Sequence, residues 1–134
     1  MVVEDDPMVG DFMAELLIGW GLEVLLLHNP LAAAAWLEDS ANALDLLITD
    51  QTMPGLTGLE LSQRACAARP TLPVLLYTGN ADVADAAETR ARGVRAILRK
   101  PLEPDTLRAL LQRWVAMPSS RSLSRPAPSE QNGA

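Results

Sequence analysis

The sequence is poor in the residues on which several familiar functions depend. It has one cysteine, Cys66, so no disulfide can close within the chain, and this suits a reducing compartment. It has one histidine, His28, with no cysteine or second histidine beside it to build a metal-binding set. Residues 1–63 contain no lysine or arginine. Glu4, Asp5 and Asp6 come directly after the opening Met-Val-Val, where a secretory signal would need a basic start and an apolar stretch. No apolar run approaches the roughly eighteen residues of a membrane span. The net charge of −6 is not the basic footprint of a nucleic-acid binder. The expectation is a soluble, cytoplasmic protein that contacts neither nucleic acid nor membrane directly.

What is present is enough for one folded domain: 134 residues, 49% of them hydrophobic. The charge is unevenly spread. Residues 1–63 hold eleven acids and no base, a charge of −11, and residues 64–134 hold all eleven bases against six acids, a charge of +5. Such segregation fits either solvated helix faces or an acidic pocket that holds a cation.

Apolar runs alternate five times with helical patterns, which predicts an α/β fold: a doubly wound, five-stranded parallel sheet of flavodoxin-like order 2-1-3-4-5. The expected strands are 1–4, 22–27, 45–49, 73–77 and 95–98, and the expected helices 8–20, 30–39, 56–69, 82–92 and 104–117. Pro7, Pro30 and Pro104 stand where a first helical turn accepts proline. Gly21 and Gly93 stand where a helix closes in a left-handed residue. Met8, Phe12, Leu16 and Trp20, spaced by four, predict the buried stripe of the first helix; Leu107, Leu110, Leu111 and Trp114 predict that of the last. Cys66, between two alanines, is expected to be a small buried hydrophobe, and His28 a surface residue. From Pro118 the text turns to PSSRSLSRPAPSEQNGA, expected to be a disordered Ser/Pro-rich tail over 118–134 after a domain spanning 1–117. The first strand is short for an inner strand, so the chain is expected to begin a few residues late.

The chemistry lies at the carboxyl end of each apolar run. The first strand leads into Glu4-Asp5-Asp6, the third into Asp50, the fourth into Thr78-Gly79 and the fifth into Lys100-Pro101. In an open parallel sheet, ligands bind outside the carboxyl ends of the strands, so these groups are expected to share one edge. Two carboxylates there, Asp5 and Asp50, would repel unless a hard divalent ion joined them; Mg²⁺ takes such oxygens and keeps waters and phosphate oxygens besides. Asp50 could then act as a nucleophile toward phosphorus, with the Lys100 ammonium and the Thr78 hydroxyl on the phosphoryl oxygens. Lys100 is the one lysine beside ten arginines, which suggests a place where a planar guanidinium would not serve.

With these residues in view, the sequence resembles the receiver domains of two-component response regulators. The motifs VVEDDP (2–7), DLLITDQTMPGLTG (45–58), LPVLLYTG (72–79) and LRKP (98–101) carry the resemblance, which extends from residue 1 to about 117. It implies that Asp50 is a phosphoacceptor taking its phosphoryl group from a histidine kinase or a histidine phosphotransfer protein. It implies Asp5 as a direct Mg²⁺ ligand, Glu4 as one acting through water, and the backbone carbonyl of Thr52 as the third protein ligand, with Asp6 peripheral. It further implies Thr78 as the switch hydroxyl, the Gly79 N–H as a phosphoryl contact, and a cis Lys100–Pro101 bond. Arg90, Arg92, Arg95 and Arg99 fall on the surface, helix 4–strand 5–helix 5, through which receivers form homodimers. Two positions depart from the family: Ile97 where a switch aromatic is frequent, and Leu102 where phenylalanine is common.

The expected function is that of a single-domain response regulator, a signalling phosphoacceptor rather than an enzyme. The alternatives are the C-terminal receiver of a hybrid histidine kinase and a phosphatase of the haloacid dehalogenase type. The latter places its aspartyl nucleophile on the first strand with a second aspartate two residues on, where this chain has Thr52.

Overall fold

The structure, a computed structural model, describes residues 1–79 and 86–115. Five strands, β1 (Val2–Val3), β2 (Leu26–Leu27), β3 (Leu47–Asp50), β4 (Val74–Thr78) and β5 (Val94–Arg99), alternate with five helices. These are α1 (Pro7–Gly19), α2 (Pro30–Glu38), α3 (Gly58–Ala68), α4 (Ala86–Ala91) and α5 (Pro104–Trp114). All four strand pairings are parallel, in the order β2-β1-β3-β4-β5, as the alternation predicted. No helix among the described residues is long and apolar enough to cross a membrane. The Ser/Pro-rich stretch 118–134 and residues 82–85 of the expected fourth helix lie outside the described residues.

The sheet is buried on both faces, so its strands read as apolar runs. Val3, Leu47, Val74, Leu76 and Val94 pack with Ala33, Ala34 and Leu37 of α2 and Leu59, Leu61 and Ala65 of α3. Val2, Ile48, Leu75, Tyr77 and Leu98 face the other way, onto Met13 and Leu17 of α1 and Leu107 and Leu111 of α5. Ile97 is half-buried against the first of these layers. Each fully buried leucine contributes about 2 kcal/mol, so the two layers hold the strand ends in place.

The helix boundaries agree with the punctuation. Asp6 caps α1 by accepting the Met8 N–H at 3.0 Å, and Asn29 caps α2 by accepting the Leu31 N–H at 2.8 Å, each with proline next. Thr57 and Glu60 form a reciprocal capping box on α3. Gly21 and Gly93 adopt φ of 92° and 96° after α1 and α4.

Three expectations need correction. β2 spans only Leu26–Leu27, because this edge strand pairs with β1 alone and β1 offers two residues, Val2 and Val3. On α1, Met8 and Phe12 are 82% and 48% exposed, and the buried line runs through Gly10, Met13, Ala14 and Leu17, with Leu16 and Trp20 at its margin. A spacing of four overshoots the 3.6-residue turn, so the predicted stripe winds off the core face. Cys66 is half-buried rather than buried.

Candidate functional site

The carboxyl ends of β1, β3, β4 and β5 bring the predicted groups to one edge. Asp50 ends β3 and is only 4% exposed, although it is a carboxylate. Its Oδ1 lies 2.9 Å from the Lys100 Nζ and accepts the Gln51 N–H at 2.9 Å. Lys100 reaches it from the end of β5, where its own N–H donates to the Thr78 carbonyl at 3.0 Å. Its ammonium also stands 5.0 Å from the centre of the Tyr77 ring. Burial alone would lower the Lys100 pKa, but the hydrogen bond and charge of Asp50 outweigh it and hold the ammonium above its ordinary value. The Lys100–Pro101 bond is cis.

Glu4 is 3% exposed, an unusual state for a carboxylate. Its Oε2 accepts the Asp6 N–H at 3.1 Å, while Oε1 is buried with no hydrogen-bond partner among the described residues. Burial pushes its pKa from 4.5 up to about 8, and the neighbouring Asp50 and Asp5 add to the rise against the lowering effect of the Asp6 N–H. Glu4, Asp5 and Asp50 each offer a carboxylate oxygen, all within 4.8 Å of one another. A buried acid with an orphaned oxygen beside two further carboxylates is a donor set suited to a hydrated divalent cation, which would supply the missing partner. Asp6 spends its side chain on the α1 cap, which keeps it at the periphery.

Thr78, 2% exposed, ends β4, and Gly79 comes next in the chain. A Cβ on Gly79 would meet the Lys100 Cβ at 3.4 Å, so its backbone lies directly beside the lysine stem. Thr52 is exposed, two residues past Asp50 in the loop toward α3. The structure thus brings Glu4, Asp5, Asp50, Thr78, Gly79 and Lys100 to one sheet edge.

Two contacts at this edge were not anticipated. His28 is exposed, as expected, yet its Nδ1 is 2.9 Å from the Glu4 carbonyl oxygen and so ties the end of β1 to the start of α2. Gln51 bonds both to Asp50 and to α3. The motif DQTMPGLTG did hold one clue to the second contact, the glycine at 58. A Cβ there would lie 2.3 Å from the Asp50 carbonyl oxygen and 2.6 Å from Leu76 Cδ1, so only glycine lets α3 begin this close to β3.

On the far side of the sheet from α2 and α3, Arg108 of α5 lies over the Trp20 ring of α1, 5.7 Å from its centre. Of the four arginines expected on one surface, Arg90, Arg95 and Arg99 are exposed, and Arg92 pairs with Glu88 at 4.0 Å.

Comparison with known proteins agrees with this geometry. The response regulator receiver domain family matches residues 1–112. The transcriptional regulatory protein FixJ of Bradyrhizobium diazoefficiens is 33% identical over 124 residues, which cover 90% of this chain and 59% of FixJ, so the chain spans about three fifths of that relative's length. A CheY-like receiver domain protein of Methanospirillum hungatei superposes with a TM-score of 0.77 at 25% identity, over 84% of this chain and 88% of that one. The receiver domain of the sensor histidine kinase PA1611 of Pseudomonas aeruginosa, solved with magnesium in its active-site cleft, gives 0.74 at 26% identity, over 84% and 93%.

Proposed function

The chain belongs to the response regulator receiver domain family, and from that premise we propose that it accepts a phosphoryl group on Asp50 from a histidine kinase or a histidine phosphotransfer protein. The observation that carries this is the pairing of the nearly buried Asp50 with Lys100 at 2.9 Å, beside two more carboxylates within 4.8 Å. A structural ion pair alone would give no reason to gather Glu4 and Asp5 against it.

In the transfer, an Asp50 carboxylate oxygen forms a bond to phosphorus as the phosphorus–nitrogen bond of the donor histidine breaks. The imidazole nitrogen leaves with the electron pair and is protonated. The product is a mixed anhydride on Asp50. Mg²⁺ would be held by Asp5, Asp50 and the Thr52 carbonyl, with Glu4 acting through water; when bound, it neutralises charge on the phosphoryl oxygens. Lys100 exchanges part of its contact with Asp50 for a phosphoryl oxygen and holds the nucleophile in line. The Thr78 hydroxyl and the Gly79 N–H supply the remaining hydrogen bonds. Because Thr78 precedes the segment leading to α4, its engagement is the step that passes the state of Asp50 outward. Ile97 stands in place of an aromatic, so that step does not proceed through an aromatic rotamer, and the α4–β5–α5 face is where it emerges for pairing of two copies.

The same chemistry serves a stand-alone cytoplasmic regulator and a receiver attached to a kinase, as in the PA1611 neighbour. It does not serve a phosphatase of the haloacid dehalogenase type, because Asp50 ends the third strand and Thr52 stands where the general acid would be. Incubation with Mg²⁺ and acetyl phosphate should attach one phosphoryl group that hydroxylamine and mild base remove. No incorporation, or steady hydrolysis of a generic phosphomonoester, would contradict the proposal.

A further inference from the structure

Gln51 satisfies both of the first two N–H groups of α3. Its carbonyl accepts the Gly58 N–H at 2.9 Å, and its side-chain Oε1 accepts the Leu59 N–H at 2.9 Å. The Thr57 hydroxyl takes the next, that of Glu60, at 3.1 Å. These are donors that a helix start leaves without intrahelical partners. Two of them here are closed by one residue, eight positions back in sequence from Leu59, instead of by a local cap. The same residue shares its own N–H between Asp50 Oδ1 at 2.9 Å and the Tyr77 carbonyl at 3.1 Å. Gly58 removes the side chain that would keep the helix away, since a Cβ would fall 2.9 Å from the Gln51 Cα.

We infer that Gln51 is a positioning residue for the acceptor site: its side-chain amide clasps α3 to the peptide that both orients the Asp50 carboxylate and leads into the Thr52 carbonyl. The inference rests on the proposed role of Asp50 and Thr52 in holding Mg²⁺ and phosphoryl. The peptide planes between Asp50 and Thr52 set where the Thr52 carbonyl points and where the Gln51 N–H meets Oδ1. Those planes have few rotatable bonds, and the chain on one side is fixed by β3. On the other side the restraints are Gln51 Oε1, the Gly58–Gln51 bond and the buried Met53 side chain; Thr52 itself is exposed. Without the amide oxygen, the Leu59 N–H loses its partner and the loop gains a hinge next to the acceptor. Preorganisation of donor atoms is what a small, geometrically demanding cation requires.

The test compares the parent with Gln51→Met, which keeps length and bulk but has no oxygen to offer, and with Gln51→Glu, which restores an acceptor at the same reach. Four quantities are read on the full chain: the melting temperature in EDTA, the Mg²⁺ dissociation constant by calorimetry, the rate of phosphoryl uptake from acetyl phosphate at saturating Mg²⁺, and the exchange rate of the Leu59 amide hydrogen. Gln51→Met should weaken Mg²⁺ binding and slow uptake at saturating Mg²⁺, each about three- to tenfold, with exchange of the Leu59 amide hydrogen accelerated. Gln51→Glu should restore slow exchange of that amide. A merely structural residue would lower the melting temperature and leave the dissociation constant and the saturated rate where they were; that result overturns the inference. If the parent binds no Mg²⁺ and takes up no phosphoryl group, the reading of Asp50 fails and the inference goes with it. Normal parent chemistry with an unaffected Gln51→Met variant defeats the inference alone.

Discussion

Replacing Glu4 by glutamine should stabilise this protein in the absence of divalent ions, and by an amount that grows with pH. Glu4 is 3% exposed, with Oε1 unpartnered and two carboxylates beside it, and its pKa is raised by burial from 4.5 to about 8. In the folded state it therefore keeps a proton that the unfolded chain releases. Between pH 4.5 and about 8 the folded protein holds the Glu4 proton that the unfolded one releases, so the contribution of Glu4 to stability is full below pH 4.5 and is lost progressively as pH rises through about 8. At ~1.4 kcal/mol per tenfold change in acidity, the ceiling on that loss is about 5 kcal/mol. Sharing of charge with Asp50 and relaxation of the site will reduce it, and half the ceiling is a reasonable expectation. For a domain of this size, about 2–3 kcal/mol corresponds to a melting shift of roughly 10 °C. Glutamine is nearly isosteric, retains an oxygen for the Asp6 N–H and offers an NH₂ to the neighbouring carboxylates. Melting curves of parent and Glu4→Gln in EDTA, taken from pH 5 to 8.5, should nearly coincide at the acid end and separate steadily toward the alkaline end, with the variant higher. Parallel profiles would refute the assignment of this pH dependence to Glu4. With Mg²⁺ the order should narrow or invert, because the parent gains RT ln(1 + [L]/Kd) and the variant gains less.

The same geometry sets three further outcomes. Gly58→Ala should destabilise the fold by about 2–3 kcal/mol in chemical denaturation, because its Cβ would sit 2.3 Å from the Asp50 carbonyl oxygen and neither backbone nor Leu76 can yield cheaply. Lys100→Arg keeps the charge but should slow phosphoryl uptake at least tenfold, measured with acetyl phosphate, because a planar guanidinium cannot occupy the ammonium's place 2.9 Å from Asp50 Oδ1 and over Tyr77. Thr78→Ala should still take up phosphoryl but lose the phosphorylation-dependent change in amide exchange around α4, the next element in the chain.

The order of the sheet and the gathering of Glu4, Asp5, Asp50, Thr78 and Lys100 were legible because both depend on features local in sequence. Apolar runs ending in chemistry-bearing residues, with prolines and glycines at helix limits, fix the alternation, and the parallel rule then aligns the strand ends. Residues 22–25 carry the same apolar signature as a strand, but pairing decides length, and β1 gives β2 only two partners. The exposed Met8 and Phe12 show the limit of counting by four over three turns of helix. Gln51 was opaque for a different reason. Nothing in the residue type marks it, since its role depends on Leu59 arriving within 2.9 Å of its side chain after the loop has closed. The buried state of Glu4 was equally invisible: the sequence shows three consecutive acids, and only packing separates the buried one from the helix cap, Asp6.

The identity of the phosphoryl acceptor is the central claim. Intact-mass spectrometry of the parent and of Asp50→Asn, each incubated with Mg²⁺ and acetyl phosphate, addresses it, because an amide is no nucleophile toward phosphorus. The parent should gain the mass of a single phosphoryl group and the variant none; equal incorporation in both would mean that the phosphoryl group goes elsewhere and that Asp50 is not the acceptor.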